Sequence, residues 1–167
     1  VEPSARFDAK TQCDRSRSYA RELGTRVPSL AAPAAALVGA LEAMHRDHAS
    51  SLCPIHGAPH MNQWLDLGSD LGLVDFDRFA LGEPELDVCT FLGELDFEEG
   101  LVRPVAEIEN AFIAGYEASS GPLDRQLLSV YRSHKRLAKA LRSARALRPD
   151  GDARAERHFR AAEDALT

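Results

Sequence analysis

The sequence predicts a mainly α domain with one small β-hairpin in its middle. Apolar residues recur at three- to four-residue steps in residues 33–49 and again after Gly100. Between His45 and Gly100 the apolar runs shorten and are separated by Gly, Pro and Asp. Within that middle stretch, Gly68-Ser69-Asp70 forms a turn signal between "QWLDL" and "LGLVDF". With 167 residues, 44% apolar and 28% charged, the chain has the size and composition of one globular domain that buries its own core.

The first thirty residues are polar and weakly periodic, with a short helix expected around Asp14 to Leu23 and ended by Gly24. Lys10, in "DAKTQ", lies in surroundings that do not read as a strand. A clear helix follows in "PAAALVGALEAMHRDHA": Pro33 suits a first turn, and Leu37, Leu41 and Met44 share a face. After the hairpin, Pro84 opens a helix that turns Leu86, Val88, Cys89, Phe91 and Leu92 inward. Val105, Ile108, Phe112 and Tyr116 mark another helix, stopped by Gly121-Pro122. Residues 123–147 form a longer one through Leu127, Tyr131, Ala138 and Leu141, and "PDGD" separates it from a last helix that runs to Leu166. The expected division is a partly helical N-terminal segment, 1–34, and a main unit, 35–167.

The net charge of −6 argues against a general nucleic-acid coat, and it conceals an asymmetry. From Asp66 to Gly100 the charged residues are acidic except Arg78, whereas residues 132–148 carry seven Lys or Arg and no acid. Three scattered cysteines, Cys13, Cys53 and Cys89, do not make a disulfide framework. No apolar run approaches the roughly 20 residues of a membrane helix, and no signal pattern opens the chain. A cytoplasmic protein with no membrane partner is the expectation.

The chemistry concentrates in "HGAPHMNQWL" and "GLVDFDRFALGEPELDVCTFL". These segments resemble the catalytic and metal-binding motifs of the aminoglycoside phosphotransferase and choline kinase-like family, small-molecule relatives of protein kinases. In that family the first motif is His-Gly-Asp followed, after four intervening residues, by Asn, and the second is an apolar strand ending in Asp before Gly-Asp-Pro-x-x-Asp. Here His56, Gly57, Asp75, Gly82-Glu83-Pro84 and Asp87 match, Ala58 replaces the catalytic Asp, and Gln63 replaces Asn. The tail from His134 to Phe159 is similar to the final helices of bacterial members, so the likeness runs from about residue 35 to the end.

The resemblance implies the helical C-terminal lobe of a kinase-like fold, with ATP and Mg²⁺ as cofactors and a small-molecule hydroxyl acceptor. Phosphoryl transfer needs metal, positioning and a group to take the acceptor's proton. By resemblance, Asp75 and Gln63 would hold the metal, with Asp77 as an accessory ligand, while His56, Gly57 and Asp87 support the loop. Buried in an apolar run, Asp75 would need such a partner. General-base help of the kind lost at Ala58 is worth roughly 10²- to 10⁴-fold. The family's β-rich N-terminal lobe, with its phosphate-binding Lys, has no counterpart before residue 35, so catalysis by this chain alone is not expected. A missing lobe, carried upstream or on a second chain, a degenerate module that only binds a nucleotide or a protein, and an engineered Ala58 each account for this pattern. Glu94, Asp96, Glu98 and Glu99 fit a cationic acceptor and equally an exposed loop.

Two other readings compete. Cys53, His56 and His60 form a Cys-x2-His-x3-His set that suits a zinc hydrolase, although Pro54 and Pro59 break helical spacing and no Glu base lies nearby. Arg132, Lys135, Arg136, Lys139, Arg142, Arg145 and Arg148 form a basic stripe along one helix. Nucleic acid is one partner for such a stripe, but a solvated face, or pairing with "ELDFEE" in the chain or a dimer, is preferred.

Overall fold

A computed structural model describes residues 3, 5–95, 103–146 and 148–167. Among these residues six α-helices and two small sheets are present, and one of the helices, buried on two flanks, organises the others. The helices are α1 (Ala9–Arg26), α2 (Ala31–Asp47), α3 (Pro84–Leu95), α4 (Val105–Ser120), α5 (Arg125–Arg145) and α6 (Gly151–Asp164). On one flank of α5, Val130, Leu137, Ala140 and Leu141 pack with Leu23 of α1, Leu37 and Leu41 of α2, and Phe159 of α6. On the other flank, Leu127, Leu128 and Tyr131 pack with Leu86, Leu92 and Leu95 of α3, against which Phe112 and Tyr116 of α4 lie partly buried. No helix among the described residues is long and apolar enough to cross a membrane.

The expected hairpin is present: β3 (Trp64–Asp66) pairs antiparallel with β4 (Leu71–Leu73), with Trp64 opposite Leu73. A second sheet has no counterpart in the sequence reading. Strands β1 (Ala5–Phe7), β5 (Ala80–Gly82) and β2 (Cys53–Ile55) lie side by side in that order, β1 parallel and β2 antiparallel to β5. Each strand has three residues, too few to display a two-residue alternation.

The first helix departs furthest from expectation. It spans 18 residues rather than ending at Gly24, and Asp8 caps it by accepting from the Thr11 N–H (3.0 Å). Gly24 is the point of closest approach to α2, where an added Cβ would lie 2.8 Å from the Ala31 Cα. The glycine read as a stop is therefore a packing contact. Because α1 shares a core with α2 and α5, a division at residue 34 falls inside α2. Arg145 binds Glu22 through two nitrogens (2.9 and 2.5 Å), tying α1 to the end of α5.

Gly24→Val is expected to lower stability by about 1–3 kcal/mol, because the α1–α2 approach cannot widen without opening the core. Gly39→Ala in α2, where an added Cβ meets nothing within 4 Å, should be neutral or stabilising by up to about 1 kcal/mol. Chemical denaturation of the two variants checks the contrast.

Candidate functional site

The segment after β2 is held by one carboxylate. Asp87, in the first turn of α3, accepts the His56 N–H at Oδ2 (2.6 Å) and the Gly57 N–H at Oδ1 (2.9 Å). Burial raises the Asp87 pKa above the usual carboxylate range, and the two amides pull against that shift. Gly57 has φ +85°, and an added Cβ there would collide with the Arg78 carbonyl oxygen. Only glycine permits both the turn and this approach. The His56 ring then spans to the hairpin: Nε2 donates to the Val74 carbonyl (2.9 Å), and the ring lies 4.6 Å from that of Phe76.

These contacts bring Asp75 beside the loop. It is the single non-glycine residue with positive φ (68°) among the described residues, and its side chain is exposed rather than buried. A carboxylate held at a strained backbone position in solvent is a feature of sites more than of cores. Gln63 is buried and engaged at both ends: its carbonyl oxygen accepts from the His60 N–H (2.9 Å) and its NH₂ donates to Asp75 Oδ2 (2.9 Å). As placed, Gln63 therefore orients Asp75, and its carbonyl faces the backbone rather than a shared metal. Asp77 is exposed two residues farther on.

Behind Ala58 lies a cavity of about 450 Å³ between α1, α3 and α5, lined also by His60, Arg15, Arg78, Lys135 and Arg142. Its floor is polar. Ser16 Oγ meets His134 Nδ1 at 2.5 Å, and His134 Nε2 meets His45 Nε2 at 3.0 Å. Burial lowers the His134 pKa to about 3, so this imidazole is neutral at physiological pH, and burial lowers the His45 pKa as well. Below it, Glu83 accepts from the Tyr131 hydroxyl and from the Ser50 N–H (3.0 Å). Lys135, expected on a surface stripe, is half-buried here, and desolvation lowers its pKa to about 8.

The rest of that stripe is largely consumed within the chain. Arg132 pairs with Glu109 (3.0 Å), Arg145 with Glu22, and Lys139 donates to the Gly93 carbonyl (2.5 Å) with Glu94 at 3.8 Å. Glu94 thus answers a lysine, while Asp96, Glu98 and Glu99 lie outside the described residues. Cys53, His56 and His60 do not gather: among the described residues the one group of three possible metal ligands is Cys13, His45 and His134. The β2 strand carries Cys53 away from the His56 ring, which is spent on Val74.

No protein-family model matches the chain, and no curated protein sequence does. Its fold does match solved structures. A choline/ethanolamine kinase family protein from Mesorhizobium loti superposes with a TM-score of 0.66 over 97% of this chain and 55% of its own, at 18% identity. A glucosamine kinase gives 0.61 over 99% of this chain and 47% of its own, at 20% identity. A glucosamine kinase in complex with glucosamine, ADP and inorganic phosphate gives 0.59 over 99% and 45%, also at 20% identity. The fold is accordingly kinase-like, the likeness takes in the first thirty residues too, and the chain spans about half the length of these structures.

Asp87→Asn would set an NH₂ against one of the two loop amides, and is expected to cost about 1–3 kcal/mol and to speed hydrogen exchange at His56 and Gly57. The buried histidine gives a pH dependence of known sign. The unfolded chain takes up its proton near pH 6.5 and the folded chain does so only near 3, so stability is full above 6.5 and falls as pH drops below it. The slope is at most about 1.4 kcal/mol per pH unit, and His134→Gln should flatten it in a melting series from pH 7 to 5.

Proposed function

We propose that this chain is the helical lobe of a small-molecule phosphotransferase, built to hold a phosphate-bearing ligand over the 56–63 loop and Asp75, with transfer by the isolated chain abolished by Ala58. The observation that carries this is the double tie of Asp87 to His56 and Gly57, continued through His56 to Val74, which fixes the loop against Asp75. Such an arrangement has little purpose in a purely structural turn, because it spends a buried carboxylate on presenting an exposed one. The solved structures of like fold are named as kinases, one with ADP and inorganic phosphate, which suits a nucleotide as donor.

The donor set fits magnesium. Mg²⁺ keeps several waters and takes one or two carboxylates alongside phosphate oxygens. Asp75 offers an exposed carboxylate oriented through one oxygen by Gln63, with Asp77 near in sequence. When bound, the ion would neutralise charge on the transferring phosphoryl group. His56 and Asp87 act on the backbone alone and fix where the loop stands. At position 58 a methyl group faces the cavity, and no proton can be taken there.

The reading also gives the hairpin a cover. Leu65, Leu67, Leu71, Val74 and Phe76 are 40–71% exposed around Asp75, an apolar surface suited to a second lobe, on the same polypeptide or another. Cys13, Cys53 and Cys89 are unpaired, in keeping with a reducing compartment, and we place the protein in the cytoplasm.

Titration calorimetry with Mg²⁺-ATP tests the proposal. Binding is expected, weakened about tenfold or more by Asp75→Ala. Ala58→Asp should raise nucleotide turnover by about 10²- to 10⁴-fold over the parent once a complementary lobe is supplied. If neither the parent nor Ala58→Asp binds Mg²⁺-nucleotide, the idea of a phosphotransferase site fails.

A further inference from the structure

The cavity beside Ala58 is lined by more cations than acids. Among the described residues Arg15, Arg78, Lys135 and Arg142 line it, and none forms an ion pair with a carboxylate. Glu94, its one acid, lies 3.8 Å from Lys139. Arg15 and Arg78 share a neighbour: their guanidinium carbons lie 4.7 and 5.9 Å from the centroid of the same Phe7 ring. Lys135 reaches the cavity from α5 and is half-buried.

Cations gathered along a concave surface repel one another and focus a positive potential, and an anion relieves both. Asp87 lends Lys135 some of a carboxylate's charge, but its two oxygens already accept loop amides and it makes no ion pair with the lysine. Two guanidinium forks and an ammonium lining one cavity match the several acceptor oxygens of a phosphate group. Position 58 completes the pattern: a carboxylate there would face the cavity and oppose the anion, whereas alanine leaves the positive field intact.

We propose that this cavity is an anion site that takes a small phosphorylated hydroxyl compound by its phosphate group, and its identification as the acceptor's site rests on the phosphotransferase reading above. The same phosphate chemistry has a second source, the phosphates of a nucleotide, and a titration with separate arms distinguishes the two.

The full chain is titrated calorimetrically with inorganic phosphate, glucose 6-phosphate, glucose, and ADP without metal. Phosphate and glucose 6-phosphate should bind and compete, glucose should not, and added salt should weaken both complexes. Arg78→Gln and Lys135→Gln should each weaken glucose 6-phosphate binding about tenfold or more, while Arg160→Gln on α6 leaves it unchanged. Arg78 lies on an exposed loop, so its variant tests the site even where Lys135→Gln unfolds. No binding of either phosphate compound, or binding that both substitutions leave unchanged, overturns the proposal. Binding of ADP alone, lost in the same variants, assigns the cavity to nucleotide phosphates and overturns it equally. Binding of glucose 6-phosphate by a chain that takes no Mg²⁺-nucleotide upholds the anion site and refutes the phosphotransferase reading instead.

Discussion

Helix α5 is buried from two directions, and that constraint shapes everything near it. One flank supplies Val130, Leu137, Ala140 and Leu141 to the cluster with α1, α2 and α6, and the other supplies Leu127, Leu128 and Tyr131 to the cluster with α3. Between the two apolar flanks the helix still presents polar side chains. Ser133 and His134 are buried, and Lys135 is half-buried at the cavity. His134 is answered by Ser16 and His45, and Tyr131 by Glu83, whereas the Ser133 hydroxyl has no partner among the described residues. A polar cavity arises where the two cores part.

The long helices were legible because their apolar spacing persists for many turns. The hairpin was legible because its turn residues, Gly68-Ser69-Asp70, stand between two short apolar runs. The sheet of β1, β5 and β2 was not, since three-residue strands carry no period and Ala5 meets Ala80 only through the folded chain. Gly24 misled for a related reason: a glycine that ends a helix and one that admits a neighbouring helix look alike until Ala31 is seen against it.

The site divides in the same way. Residues 56–63, 75 and 87 stood out in the sequence, and the fold gathers them. What spacing could not reveal was the hydrogen-bond sense of Gln63, whose carbonyl is turned to His60, or the exposure of Asp75 at a left-handed backbone position. Nor could it divide seven basic residues between ion pairs and a cavity wall. A helical wheel assigns a face to each residue but not the neighbour that the face meets. Arg132 and Lys135 are three residues apart, yet one answers Glu109 and the other looks into the cavity.

The hairpin carries a further consequence, for behaviour at high concentration. Among the described residues its two strands pair only with each other, so each keeps an outer edge of backbone donors and acceptors. Leu65, Leu67 and Leu71 stand exposed along those edges, with no lysine or proline in residues 64–73 to interrupt them. Edges of this kind recruit further strands. Left uncovered, the hairpin is where the chain would first stack edge to edge with its own copies, so solubility and site integrity depend on the same ten residues.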